Sequence, residues 1–153
     1  MKAVVFAGWK TDGNVISMCR TADGLGFDEV LVKGRKRITK KFIGSKMLSL
    51  REPYKTKVRF FDTDEEIVKY LRNRGYNSVI MELSEQSEDI MGFEYPENPA
   101  IIVGHETLGV PQCYLGDYIM LPMTGNIRCM NVSVAASIAM YDYCLKNERN
   151  KER

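Results

Sequence analysis

The chain has 153 residues and a formal net charge of +2; 44% of the residues are hydrophobic and 27% are charged. These values are typical of one globular domain with a single core, and the small net charge excludes a protein that coats nucleic acid through its overall charge. The four cysteines contain no CxxC pair, which indicates neither a zinc site nor a disulfide framework. No apolar stretch is long enough for a signal peptide or a membrane span, so we expect a cytoplasmic protein with no membrane partner.

Short apolar runs alternate with amphipathic segments along the chain. Thr63 and Glu66 form a capping box that opens one helix, and Gly75 closes it. In chain order the sequence predicts a strand at 3–7, a helix at 15–25, strands at 29–32 and 58–61 with a short helix at 42–50 between them, the helix closed at Gly75, a strand at 78–81, a surface loop at 84–97, strands at 100–103 and 118–121, and a helix at 132–146.

The predicted strands are continuous apolar runs rather than alternating ones. Such runs, separated by helices, are typical of a mostly parallel sheet with helices on both faces, so we predict an α/β fold. The domain is expected to span residues 1–147, and residues 148–153 are expected to form a polar, frayed tail.

Several common enzyme classes lack their motifs here. Gly8 and Gly13 have the spacing of a Walker loop, but Asn14 stands where the lysine is needed. The glycine pair at 24–26 lies at a helix end, which argues against a Rossmann dinucleotide site. His105 is the only histidine, so a multi-histidine metal site is excluded and we expect no metal.

Three segments carry residues suited to chemistry. In the first, Asn14 lies at the start of a predicted helix and Arg20 follows six residues later; taken alone, they indicate a helix N-cap and a solvated side chain. In the second, residues 99–111, a buried strand brings Glu106 to the carboxyl edge of the sheet, where open α/β folds bind ligands. The third, residues 121–136, is a loop of small and polar residues entering a long helix, with Asn131 as its expected cap.

Together, and in this order, the three segments resemble the signature motifs of the SpoU/TrmH family of the SPOUT superfamily. The first motif is matched by Asn14 and Arg20-Thr21-Ala22, and the second by Gly104, Glu106 and Gly109. The third is matched by two short runs, Pro122-Met123-Thr124-Gly125 and Cys129-Met130-Asn131-Val132-Ser133. Two residues depart from the pattern: Cys129 replaces the usual serine and Met130 the usual leucine.

The resemblance implies a deep trefoil knot in the C-terminal half and a pocket for S-adenosyl-L-methionine there. It also implies transfer of the methyl group to a ribose 2′-hydroxyl of RNA, in which Arg20 acts on the hydroxyl while Asn14, Glu106 and Asn131 position it and the ribose. A homodimer is expected, each site being completed by the partner chain, with an interface on the 16–22 face and on an apolar stripe of the last helix. The implied cofactor-binding residues are Leu83, Val103, Gly104, Leu121, Met130 and Ala135.

A basic segment supplies the candidate RNA contacts. Such a run is also typical of a solvated surface, but beside an RNA site it would clamp phosphates. Trp9 and Tyr54 are candidates for stacking on bases. The candidate RNA-binding residues are Lys33, Arg35, Lys36, Arg37, Lys40 and Lys41.

The sequence therefore predicts an RNA 2′-O-methyltransferase of the short, single-domain type, with tRNA as the expected substrate. Four alternatives stay open: a non-catalytic RNA-binding protein that keeps the fold, an rRNA 2′-O-methyltransferase, a methyltransferase of the same fold acting on a base nitrogen, and an unrelated α/β binding domain.

Overall fold

A computed structural model describes residues 1–34 and 55–151 of the chain. This part contains seven strands and three helices. In chain order they are β1 (Ala3–Phe6), α1 (Asp12–Gly24), β2 (Glu29–Lys33), β3 (Lys57–Phe61), α2 (Asp64–Arg74), β4 (Asn77–Met81), β5 (Glu88–Asp89), β6 (Pro99–Val103), β7 (Asp117–Met120) and α3 (Val132–Lys151).

The strands form one sheet in the order β3-β2-β1-β6-β4-β7-β5. Every neighbouring pair is parallel, and β6 lies in the centre between β1 and β4. The predicted α/β class is therefore confirmed. Because the strands are parallel, their carboxyl ends meet at one edge, and the loops after β1, β4, β6 and β7 gather there.

Helices cover both faces of the sheet, and alternate residues of β1 show the division. Val4 and Phe6 pack in a core with α1 and α3, whereas Val5, together with Ala7 just after the strand, packs in a second core with α2. Each of these four side chains is at most 3% exposed. A strand buried on both faces must be apolar at every position, which explains the continuous apolar runs. No helix in the described residues is long and apolar enough to cross a membrane.

A buried acid lies at the amino-terminal end of β2. Glu29 is 1% exposed and accepts hydrogen bonds from Arg59 Nε at 2.8 Å, from the Tyr70 hydroxyl at 2.8 Å and from the Tyr76 hydroxyl at 3.2 Å. Burial acts to raise the pKa of Glu29, but these bonds outweigh it and the pKa is lowered overall. The carboxylate thus links three elements, β2, β3 and α2, as well as the turn before β4.

Several predicted boundaries are corrected by the structure. Helix α1 begins at Asp12, three residues early, with Thr11 at the N-cap position, so the N-cap interpretation of Asn14 is wrong. Helix α3 continues to Lys151, past its predicted end at residue 146, because lysine, glutamate and arginine are good helix formers. The two-residue strand β5 lies in the segment predicted as a loop, and the predicted helix at 42–50 lies outside the described residues.

The capping box before α2 is confirmed in its main bond. The backbone N–H of Glu66 donates to Thr63 Oγ1 at 3.2 Å. The return bond goes one residue further upstream than expected, because Glu66 Oε2 accepts from the backbone N–H of Asp62 at 2.9 Å. Gly75 ends the helix with a φ of 72°, in the left-handed region that favours glycine.

Candidate active site

The loops after β4, β6 and β7 and the first turn of α3 enclose a cavity of about 260 Å³. It lies at the carboxyl edge of the sheet, where the sequence predicted a ligand site. All six residues predicted to bind the cofactor line this one cavity: Leu83, Val103, Gly104, Leu121, Met130 and Ala135. Their role in binding a cofactor stays a prediction.

The second motif forms a closed turn that is one wall of the cavity. The backbone N–H of His105 donates to the Gly109 carbonyl at 3.1 Å, and the Gly109 N–H donates to the His105 carbonyl at 2.9 Å. A Cβ on Gly104 would lie 2.2 Å from the Gly109 carbonyl, and one on Gly109 would lie 2.2 Å from Glu82 Oε1. Gly109 also has a φ of +70°. Both glycines are therefore needed for the turn to close against the strand end.

A chain of hydrogen bonds joins the three motifs. Asn14 Nδ2 donates to Glu106 Oε1 at 2.7 Å, and Asn131 Nδ2 donates to Asn14 Oδ1 at 3.0 Å. Asn14 is only 9% exposed, and its side-chain amide uses both its N–H donor and its oxygen acceptor in these two hydrogen bonds. Residues separated by 92 and 117 positions in the sequence are thus held side by side, which fixes the orientation of the Glu106 carboxylate beside the cavity.

Asn131 also caps α3, as the sequence predicted. Its Oδ1 accepts from the backbone N–H groups of Ser133 at 2.9 Å and Val134 at 3.4 Å, and from Ser133 Oγ at 2.6 Å. A further bond between the two helices runs from Ser137 Oγ to Thr21 Oγ1 at 3.0 Å. The same asparagine side chain therefore fixes the helix start and orients Asn14.

Arg20 takes no part in the hydrogen bonds that join the other predicted catalytic residues. It is exposed on α1 and is not among the residues that line the cavity of its own chain. Within the part of the chain that the structure describes, its guanidinium makes no hydrogen bond or ion pair. Hydrogen bonds within one chain thus bring Asn14, Glu106 and Asn131 together, and Arg20 makes none of these bonds.

The predicted RNA-binding residues are only partly described. Lys33 forms an ion pair with the carboxylate of Asp64, which also accepts from the Tyr114 hydroxyl at 3.0 Å. Asp64 is 6% exposed, so Lys33 serves at least in part to neutralise a buried acid. The other members of the basic segment, and the stacking candidate Tyr54, lie outside the described residues: Arg35, Lys36, Arg37, Lys40 and Lys41.

The sequence interpretation missed two charged residues of the cavity wall, Glu82 and Arg128. Glu82 directly follows β4, and the rule that residues after parallel strands meet at one edge would have found it. Its Oε1 is 3.4 Å from the backbone N of Val110, which links the loop after β4 to the glycine turn. Arg128 carries no such signal, because it lies in a loop between two motif runs. Among residues 1–34 and 55–151, no three histidine, cysteine, aspartate or glutamate side chains converge as a metal-binding group.

Solved structures share this fold. The chain superposes with a TM-score of 0.77 on the SpoU methyltransferase AviRb from Streptomyces viridochromogenes in complex with AdoMet, at 21% identity over 97% of this chain and 58% of that one. It also superposes, with a TM-score of 0.75 and 20% identity, on a structure solved to give insight into the 2-OH methylation of C/U34 on tRNA. That match covers 99% of this chain and 97% of the other chain. At such identities the likeness establishes the fold.

Sequence relatives and a family model identify the family. The tRNA (guanosine(18)-2′-O)-methyltransferase of Escherichia coli K12 is 28% identical over 137 residues, which are 84% of this chain and 56% of that protein. The chain thus spans little more than half the length of this curated relative. The model of the SpoU rRNA Methylase family matches residues 1–141, and the chain belongs to this family.

Proposed function

We propose that the chain is an S-adenosyl-L-methionine-dependent methyltransferase that methylates a ribose 2′-hydroxyl of RNA, with tRNA as the expected substrate. The observation that carries the proposal is the hydrogen-bond chain from Glu106 through Asn14 to Asn131, which assembles three separate motifs beside one cavity. Family membership supports the reaction, and the E. coli relative, by its name, methylates a guanosine 2′-oxygen of tRNA.

The walls of the cavity suit the cofactor. Leu83, Leu121 and Met130 supply apolar surface for a flat adenine ring, and Gly104 lets the ligand approach the backbone closely. AviRb, which has the same fold, has been solved with AdoMet bound. When bound here, the cofactor would supply an electrophilic methyl group on its sulfonium. The protein's task is then to bring the ribose hydroxyl in line and to stabilise the charge that develops on its oxygen.

Arg20 is the group suited to that charge. A guanidinium stays protonated in proteins, so it acts as a charged hydrogen-bond donor to a developing alkoxide rather than as a base. Asn14 holds Glu106 through one carboxylate oxygen only. The second oxygen of Glu106 can therefore orient the ribose or Arg20 itself. Loss of the Arg20 side chain should therefore abolish methyl transfer without weakening cofactor binding.

We infer further that Arg20 serves the cavity of a partner chain in a homodimer. Arg20 is exposed on α1, which packs against α3 through the shared core. The outer face of α3 carries an apolar stripe at i, i+4, i+7 and i+11 spacing, each member at least 37% exposed. An exposed apolar face on the helix that packs against α1 favours a second copy of this chain as its cover. The stripe consists of Val134, Ile138, Tyr141 and Leu145.

Calorimetric titration tests the cofactor site and the role of Arg20. We expect S-adenosylmethionine and S-adenosylhomocysteine to bind at one site per chain. Arg20→Ala should bind both within about twofold of wild type yet lose about 100-fold or more in methyl transfer. Arg72→Ala, which removes an exposed arginine on α2, is the matched control and should keep its activity. Absence of cofactor binding by the folded protein, or an active Arg20→Ala variant, would contradict the proposal.

Mixing two inactive variants tests whether the site is shared. Chains with Arg20→Ala and chains with Glu106→Ala are combined, unfolded and refolded together. If each site takes Arg20 from one chain and Glu106 from the other, half of the sites in mixed dimers are intact, and about a quarter of wild-type activity returns. If both residues serve the same chain's site, no activity returns.

A further inference from the structure

A second recess, of about 560 Å³, opens at the carboxyl edge of the sheet. It is formed by the residues that follow β1, β2 and β3 and by the turn after β6. His105 and Gly109 line both this recess and the cofactor cavity. The glycine turn of the second motif is therefore a wall that the two share.

The recess offers surfaces that fit a flat ring. The half-buried indole of Trp9 lines it and is held in place because its Nε1 donates to the Lys33 carbonyl at 2.9 Å. Leu108 lies at the rim with 83% of its surface exposed, and Pro111 adds a further apolar wall. A fixed indole with exposed apolar neighbours is the kind of platform on which unpaired bases stack in proteins that bind single strands.

His105 adds a hydrogen-bond donor to the wall. Its Nδ1 accepts from the backbone N–H of Thr107 at 3.2 Å, and a backbone N–H can only donate. With Nδ1 acting as an acceptor, the ring N–H is assigned to Nε2. In the described part of the chain Nε2 has no partner, so it is available to a base edge or a phosphate oxygen.

The sequence that continues from Lys33 and Gly34 is basic and favours a polyanion. The stretch from Lys33 to Lys41 has six basic residues in nine and no acid, and its first two residues, Lys33 and Gly34, line the recess. A nucleic-acid strand fits these features, with one base in the recess.

We propose that this recess holds an unpaired nucleobase of the substrate RNA, next to the nucleotide whose ribose is methylated. The inference rests on the proposed function and names the form of RNA that the site takes, which is a single-stranded loop or end. A base stacked in a duplex cannot also stack on Trp9, so double-stranded RNA should not occupy the recess.

Trp9 is the only tryptophan of the chain, so its fluorescence reports on the recess directly. The full-length protein, saturated with S-adenosylhomocysteine, is titrated with a five-nucleotide single-stranded RNA, with bulk tRNA and with a fully paired RNA duplex. We expect saturable quenching of Trp9 emission by the single strand and by tRNA, and none by the duplex. Trp9→Ala should weaken binding of the single strand roughly tenfold, within the range measured for base–aromatic stacking, without changing affinity for S-adenosylhomocysteine.

Two further variants keep the test decisive. Trp9→Phe keeps a ring for stacking and should bind the single strand within about threefold of wild type, even if Trp9→Ala fails to fold. Leu115→Ala removes another exposed apolar side chain. Leu115 lies just before the amino end of β7, at the opposite edge of the sheet, so this variant should bind RNA as the wild type does.

The outcomes separate this inference from the proposed function. RNA binding with unchanged Trp9 emission and undiminished affinity in Trp9→Ala would overturn the nucleobase site while leaving RNA methylation intact. A protein that binds S-adenosylhomocysteine but none of the three RNAs would overturn both.

Discussion

Asn14→Asp is the substitution that probes the hydrogen-bond chain most sharply. It is isosteric and keeps Oδ1, so the bond from Asn131 can remain, but it turns the donor that faces Glu106 into an acceptor. Two carboxylate oxygens would then meet at the 2.7 Å that now separates Asn14 Nδ2 from Glu106 Oε1. Coulomb's law gives a repulsion of about 6 kcal/mol at an effective dielectric constant of 20 and about 1.5 kcal/mol in bulk water.

Glu106 is exposed and can swing away, so the cost should lie near the lower value together with the lost charged hydrogen bond. We expect a loss of about 2 kcal/mol in the free energy of unfolding, which corresponds to a fall in Tm of about 4–8 °C for a chain of this size. Thermal unfolding of the purified variant measures this fall directly.

The matched control is the double variant Asn14→Asp with Glu106→Gln. The amide introduced at position 106 can donate to the carboxylate introduced at position 14, so the bond is restored with its direction reversed. The double-mutant cycle should show a coupling of about 1 kcal/mol or more. If the two changes add to within about 0.5 kcal/mol, the two side chains do not interact and the reasoning is refuted.

Three further predictions concern packing, pH and the cavity wall. Gly116→Ala would place a Cβ 2.1 Å from the Ser78 carbonyl oxygen and should cost about 1–3 kcal/mol by thermal unfolding, whereas Gly125→Ala, with nothing within 4 Å, should be near neutral. The hydrogen bonds of Glu29 lower the pKa of its carboxyl group in the folded state. The contribution of Glu29 to stability is therefore complete above the usual pKa of 4.5 and is lost as the pH falls through the folded pKa. Urea midpoints measured from about pH 6 to pH 3 should fall less steeply for Glu29→Gln. Cys129→Ser restores a better hydrogen-bonding group at the cavity wall and should preserve cofactor affinity in calorimetry while raising, not lowering, methyl transfer.

The sheet could be predicted from the sequence because burial on both faces leaves a distinct pattern. The β1 and β6 segments are apolar at every position, and each lies between two parallel neighbours. The gathering of Gly104, Leu83 and Leu121 around one cavity also follows from the sequence, since each comes after a strand and parallel strands end at the same edge.

Other features depend on contacts between distant residues and leave no local signal. Insertion of β6 between β1 and β4 reflects long-range pairing. Thr11 and Asn14 are both good N-cap residues, so propensity could not say that Asn14 would instead turn inward to Glu106. The three partners of buried Glu29 likewise come from other parts of the chain.

The apolar stripe of α3 shows a further limit. Val134 and Tyr141 are 49% and 55% exposed, whereas Ala136, Ala139 and Met140 on the inner face are fully buried. Periodicity finds an apolar face of a helix but does not distinguish a core from a surface that a partner covers. The predicted interface on this stripe and the trefoil knot both stay predictions.

The most direct test of the central claim is transfer of a labelled methyl group from S-adenosylmethionine to unmodified tRNA and rRNA, followed by digestion to nucleosides and mass spectrometry. We predict a nucleoside that carries the label on its ribose 2′-oxygen, formed by the wild-type protein and absent with Arg20→Ala. Label on a base, or no label in any RNA from a protein that binds the cofactor, would contradict a ribose 2′-O-methyltransferase.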